Sequence, residues 1–117
     1  MHRYKDLKVW QKAMELAKEV YEITASFPKE EKYGLTSQIN RSAVSVPSNI
    51  AEGAGRNSNN EFVHFLSIAS GSLCELETQL ILSVTFKYFE TKKLEELSER
   101  IKELQNMIFK LQESLKS

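Results

Sequence analysis

The sequence predicts an all-α protein, an up-down-up-down four-helix bundle with a proline kink in its second helix. Three observations support this prediction. Apolar residues recur at steps of three and four in four separate segments, which is the spacing of one face of an α-helix. The connectors between these segments are short and polar, so that consecutive helices are expected to run antiparallel. No segment has the features of a strand.

Length and composition indicate one globular domain covering residues 1–117, with 41% hydrophobic and 27% charged residues. The 16 basic and 16 acidic residues cancel, which removes the overall attraction for nucleic acid that a dedicated binder usually has. Cys74 is the single cysteine and has no partner within the chain, which favours a reducing compartment. Without a bilayer-spanning apolar run or a signal peptide, we expect a cytoplasmic protein with no membrane partner.

The first helix is predicted over about residues 6–26 and has two apolar rows. One row consists of Val9, Ala13, Leu16, Val20, Ile23 and Phe27, and the row beside it consists of Trp10, Met14, Ala17 and Tyr21. Two adjoining rows are wider than contact with one neighbouring helix requires. Trp10, Met14 and Tyr21 are therefore candidates for an oligomer interface.

The second helix is predicted over about residues 35–53 and contains the segment that breaks the helical rules. Pro47 has no backbone N–H and its ring crowds the preceding turn, so we expect a kink or a short irregular turn near Val46. Gly53 and Gly55 are expected to end the helix by adopting left-handed dihedral angles.

The third helix is predicted over about residues 59–87 and the fourth over about residues 93–116. Ser58 and Glu61 have the spacing of a capping box, which marks the start of the third helix. Gly71 interrupts this helix, and because glycine is unfavourable there we expect it to allow close packing. The fourth helix has an unbroken apolar row of Leu94, Leu97, Ile101, Leu104, Ile108, Leu111 and Leu115.

Two groups of polar residues are candidate functional surfaces. The candidate nucleic-acid or partner surface consists of Arg3, Lys5, Lys8, Lys12 and Arg56, with a solvated helix end as the alternative interpretation. The candidate polar network consists of Arg41, Asn49, Glu52, Glu75 and Glu77, which either meet inside the bundle or between subunits, or are simply exposed.

The sequence gives no pattern typical of a catalytic site. Glu61 and His64 have the spacing of half a di-iron site, but a second half is absent and we favour a capping Glu61 and a surface His64. Gly53 to Arg56 resembles an anion-binding loop, yet no strand precedes it, and a helix cap is the favoured interpretation. We therefore expect no catalytic residue, no cofactor, no metal and no small-molecule substrate.

Several segments together resemble a known family. They are Asp6-Leu7-x-Val9-Trp10-x-x-Ala13, Phe27-Pro28, Gln38-Ile39-x-Arg41-Ser42-Ala43, Ser45-Val46-Pro47-Ser48-Asn49-Ile50-Ala51-Glu52-Gly53 and Ser72-Leu73-x-Glu75-Leu76-Glu77. The chain is thereby similar to the four-helix bundle proteins encoded in intervening sequences of bacterial large-subunit (23S) ribosomal RNA genes. This resemblance implies a ring-like homopentamer and transfers no catalytic residue.

The chain is more distantly similar to the accessory proteins of diversity-generating retroelements, a resemblance that implies binding to nucleic acid and to a reverse transcriptase. Those accessory proteins are basic, whereas this chain is neutral. Our first hypothesis is a non-enzymatic, self-assembling interaction or scaffold protein. The alternative is an RNA-binding or DNA-binding accessory protein that acts with a nucleic-acid enzyme such as a reverse transcriptase.

Overall fold

Four α-helices follow one another in the computed structural model, which describes residues 1–116. They are α1 (Lys8–Thr24), α2 (Leu35–Ala54), α3 (Asn59–Thr85) and α4 (Thr91–Lys116). Single 3-10 turns at Tyr4–Asp6 and Lys29–Glu31 precede α1 and α2. Each helix packs against the next, and α1 also contacts α4, so the predicted all-α, up-down-up-down bundle is confirmed. No strand occurs between residues 1 and 116.

The core lies along the bundle axis and is built from the inward rows of all four helices. The side chains that are almost fully enclosed include Leu16, Val20, Ile39, Ile50, Phe62, Leu66, Leu73, Leu76, Leu80, Leu97, Ile101, Leu104 and Ile108. Because each row keeps the three-four spacing, one face of every helix is removed from water. This burial is the main favourable contribution to folding.

The second helix continues through Pro47 without an irregular turn, since α2 is helical from Leu35 to Ala54. The kink itself remains a prediction. Small residues on both helices give α2 and α3 the most extensive contact in the bundle. Across it, the hydroxyl groups of Ser45 and Ser72 are hydrogen-bonded at 2.8 Å. Within α2, the Asn49 amide donates to the Ser45 carbonyl one turn back at 2.8 Å.

α2 ends at Gly55 as expected, but without the left-handed conformation that was predicted for its glycines. None of the glycines between residues 1 and 116 has a positive φ, so Gly53 and Gly55 do not end α2 by a left-handed cap. A Cβ atom at Gly53 would lie 2.7 Å from Phe65 Cβ and 2.9 Å from Phe62 Cδ1, which places the close helix crossing at this residue. A Cβ atom at Gly71 would meet nothing within 4 Å, so Gly71 has no packing role inside the protomer.

The C-terminus of α3 ends in a Schellman motif at Lys87. The Tyr88 N–H donates to the Ser83 carbonyl and the Lys87 N–H to the Val84 carbonyl, each at 2.8 Å. Lys87 has a φ of 65°, the left-handed conformation that glycine normally supplies here. This residue therefore holds a conformation that is unfavourable for an L side chain.

One end of the bundle is closed by aromatic residues from both loops. Phe27 contacts the rings of Tyr88 and Phe89 at centroid distances of 5.4 Å and 6.0 Å. The Tyr88 hydroxyl donates to Glu31 Oε2 at 2.8 Å, which joins the α3–α4 loop to the α1–α2 connector. These contacts fix the bundle end opposite the α2–α3 turn.

Candidate functional site

An apolar groove runs along the outer surface between α1 and α2. Its α1 side consists of Trp10, Met14, Ala17, Lys18 and Tyr21, its α2 side of Val44, Pro47, Ser48 and Ala51, and Tyr4 lies at one end. The groove encloses about 520 Å³. We call it the α1–α2 groove.

The large side chains of the groove are not enclosed by the protomer. Met14 is 46%, Tyr21 49% and Val44 42% exposed, and Trp10 is half-buried. The Trp10 ring meets the Tyr4 ring edge-on at 5.3 Å, which closes one end of the groove. An exposed apolar surface lined by several large side chains is a common site for binding another protein.

The concave shape follows from the order of large and small residues. On α1 the small Ala17 lies between Met14 and Tyr21, and on α2 the small Ser48 and Ala51 follow Val44 at helical spacing. Small side chains leave a channel between the helices, while the large ones form its walls. The sequence predicted the three α1 residues but missed the α2 half, because helix pairing decides which small residues face α1.

Three of the five candidate cations are neutralised by carboxylates. Arg3 pairs with Asp6 at 3.3 Å and Lys12 with Glu103 at 3.5 Å. Arg56 pairs with Glu52 at 3.0 Å and with Glu61 at 4.0 Å. These contacts are exposed and compete directly with any phosphate group.

The structure places four of the five cations in two regions, and the fifth, Lys8, is exposed at the first position of α1. Arg3 and Lys5 line a small cavity with Gly55, and Arg56 lines the adjoining cavity with Tyr4. Lys12 instead lies at the α1–α4 boundary with Glu103. Arg56 also covers the Phe65 ring at 4.9 Å, so it ties the end of α2 to the start of α3.

The candidate polar network does not form as one cluster. Arg41 and Glu75 line the same polar cleft between α2 and α3, with Gln38, Ser42, Ser45 and Gln79, but they make no ion pair within 4.0 Å in the described chain. Glu52 pairs with Arg56, and Asn49 binds Ser45. Glu77 is half-buried on α3.

A carboxylate on α1 forms ion pairs with two cations on α4, and the sequence did not predict this group. Glu19 accepts from Lys93 at 3.1 Å and from Arg100. Partial burial raises the pKa of Glu19, but the Lys93 hydrogen bond and the Arg100 charge lower it more, so this pKa lies below 4.5. The hydrogen bond to Glu19 raises the pKa of Lys93 above 10.5 despite the opposing effect of burial.

A second carboxylate with a shifted pKa is Glu31 at the closed bundle end. The Leu35 N–H and then the Tyr88 hydroxyl donate to it, and both hydrogen bonds lower its pKa below 4.5. The hydrogen bond between the Tyr88 hydroxyl and Glu31 raises the pKa of Tyr88 above 10.0. Glu19 joins two helices and Glu31 joins two loops, and neither carboxylate lies in the α1–α2 groove.

The start of α3 explains the Glu61 and His64 pair. The Ser58 hydroxyl accepts from the Glu61 N–H and donates to Glu61 Oε2, each at 3.2 Å, which engages Glu61 as a capping residue. His64 lies beside the Phe65 ring at 5.7 Å. Residues 1–116 contain no group of three or more side chains that could hold a metal ion.

Within the described part of the chain, none of the helices is both long enough and apolar enough to cross a membrane.

Comparisons with known proteins match the fold. A family model described as 23S rRNA-intervening sequence protein matches residues 5–110. The chain is also similar to a protein of unknown function from the S23 ribosomal protein family of Bacteroides thetaiotaomicron VPI-5482, with a crystal structure at 1.70 Å resolution. The two chains are 23% identical with a TM-score of 0.79, covering 89% of this chain and 97% of the other. No curated protein matches the sequence.

Proposed function

Since this chain belongs to the 23S rRNA-intervening sequence protein family, we propose that it is a non-enzymatic helical-bundle module that assembles with copies of itself. The α1–α2 groove is its assembly surface. The resemblance to the family implies a homopentamer, and we adopt this number for the proposal. The partner is a second copy of the chain rather than a small molecule.

The exposed apolar groove is the observation that carries this proposal. Burying a half-exposed Met, Tyr and Val against a partner removes apolar area from water at about 25 cal/mol per Å². The groove has only one charged residue, Lys18, so little charge must be desolvated on docking. An apolar centre with few charges is typical of homo-oligomer interfaces.

The proposal is tested by light scattering on Met14→Glu. A carboxylate at the centre of the groove would have to be desolvated on docking even when it pairs with Lys18 one turn away, so we expect this variant to lose assembly while keeping its helical circular dichroism spectrum. Phe109→Glu is the matched control, because Phe109 is 61% exposed on α4 outside the groove. Assembly by Met14→Glu equal to that of the wild type would contradict the proposal.

The alternative function is RNA or DNA binding as an accessory to a nucleic-acid enzyme such as a reverse transcriptase. It is supported by the two candidate cations that make no ion pair within residues 1–116, Lys5 and Lys8, which are within two residues of Tyr4 and Trp10 in the sequence. A phosphate-binding surface would give an affinity that falls steeply with salt. Binding that is unchanged by salt, or by Lys5→Glu with Lys8→Glu, would exclude this surface.

A further inference from the structure

A second uncovered surface runs along the outside of α3. Ile68, Gly71, Glu75, Thr78 and Leu82 repeat at three-four spacing and are all exposed. We call these five residues the α3 stripe. Positions at this spacing lie on one face of a helix, so the five residues form one continuous surface along α3.

No contact within one protomer requires a glycine at position 71, in the middle of the stripe. Glycine is among the least favourable residues in a helix interior, and here a Cβ atom would meet nothing within 4 Å. Glycine does allow another backbone to approach closely. The stripe is therefore shaped for a contact outside the protomer.

The stripe has apolar side chains at both ends. Ile68 is 39% and Leu82 43% exposed. The Thr78 hydroxyl donates to the Cys74 carbonyl of its own helix at 2.8 Å, so its hydrogen-bonding need is met without a partner. Glu75 is the only charged residue in the stripe, and Arg41 of α2 lines the cleft beside it.

Charge and length match the stripe to the α1–α2 groove. The groove has one charged residue, Lys18, and the stripe has one of opposite sign, Glu75. From Ile68 to Leu82 the stripe is about 21 Å long, and from Trp10 to Tyr21 the groove is about 17 Å long, at 1.5 Å per residue. Two antiparallel α3 stripes facing each other would instead bring the two Glu75 carboxylates together at the centre, which is unfavourable.

The two surfaces lie on different sides of the bundle. Between residues 1 and 116, α1 and α3 have no Cα atoms within 8 Å of each other, so they are diagonal to each other in the bundle. A ring of identical protomers needs two different, complementary surfaces on each copy, because every contact is head to tail. The groove and the stripe provide two such surfaces.

We propose that the α3 stripe of one protomer docks into the α1–α2 groove of the next copy, which joins the protomers head to tail. This inference rests on the proposed self-assembly and adds which surface the groove receives. It also gives Gly71 a role, since a glycine at the centre lets α3 approach the floor of the groove.

A mixing experiment tests this pairing. One variant, Met14→Glu with Val44→Glu, has a blocked groove, and the other, Ile68→Glu with Leu82→Glu, has a blocked stripe. We expect each variant alone to be monomeric by sedimentation velocity, and an equimolar mixture to form a heterodimer through its one intact groove and one intact stripe. A mixture that contains only monomers overturns the pairing.

Other outcomes separate this inference from the proposed assembly. If the wild type assembles and the stripe variant assembles equally well, the stripe assignment is wrong and self-assembly stands. If the wild type is monomeric, both proposals fail.

Gly71→Leu gives a second readout that does not depend on added charge. The protomer has space for the side chain, so we expect helical content and thermal unfolding to be retained while assembly is lost. Retained assembly of Gly71→Leu would also overturn the docking of the stripe.

Discussion

Replacing Gly53 with Ala tests whether this glycine allows the close crossing of α2 and α3. The added Cβ atom would lie 2.7 Å from Phe65 Cβ and 2.9 Å from Phe62 Cδ1, both shorter than real Cβ contacts. Phe65 Cβ is fixed to its backbone, and Phe62 is almost fully enclosed, so neither neighbour moves aside easily. The two helices must separate or the aromatic rings must leave their preferred rotamers.

The expected loss is the balance of two effects. Overpacking a tight contact lowers the free energy of unfolding by about 1–3 kcal/mol. Replacing a helical glycine by alanine raises it by at most about 1 kcal/mol. We therefore expect Gly53→Ala to lower the free energy of unfolding by about 1–2 kcal/mol, or the melting temperature by about 4–8 °C.

Gly55→Ala is the matched control two residues away. There the nearest atoms to the new Cβ would be the Ala51 and Glu52 carbonyl oxygens at 3.6 Å, an ordinary contact, and φ is −81°. We expect this variant to be as stable as the wild type or slightly more stable. Guanidinium unfolding followed by circular dichroism at one protein concentration, repeated after dilution, separates folding from assembly. Gly53→Ala as stable as Gly55→Ala would refute this role of Gly53.

Three further variants test other contacts. Lys87→Gly relieves a left-handed lysine at the α3 C-terminus and should raise the free energy of unfolding by about 1 kcal/mol in denaturant titration; a loss would contradict the cap assignment. Glu19→Gln should cost about 1 kcal/mol at neutral pH. Because the pKa of Glu19 is lowered in the folded state, this contribution is present above pH 4.5 and is lost as the pH falls through the folded pKa. The curves of stability against pH for the variant and the wild type should therefore converge in acid. Parallel curves would contradict the ion pair's contribution. Arg56→Ala should lower the free energy of unfolding by about 1 kcal/mol, because the variant loses the ion pairs of Arg56 and its contact with the Phe65 ring. It should not change RNA affinity in a filter-binding assay. A large loss of affinity would instead support the nucleic-acid surface.

The helices could be predicted because their inward rows depend only on spacing along the chain. The capping box of Ser58 and Glu61 is likewise local, and the structure contains its hydroxyl–amide contact. Trp10, Met14 and Tyr21 were found for the same reason, since a second row beside the first is visible in the sequence. Local patterns therefore predict the bundle and one wall of the groove.

Features that depend on the register between helices could not be predicted. Gly53 and Gly71 look alike in sequence, but only the helix crossing decides which one has Phe65 against it and which one faces open space. Glu19 binds Lys93 and Arg100, which are 74 and 81 residues away in the sequence. The spacing of residues within one helix does not predict contacts between residues so far apart. Pairing between helices is set by the packed core as a whole.

The mass of the native particle tests the central claim, that the uncovered apolar groove is an assembly surface, most directly. Sedimentation velocity of the wild-type protein at micromolar concentration should give a particle of five times the protomer mass of 13.5 kDa. A single species of 13.5 kDa, unchanged on concentration, would contradict self-assembly.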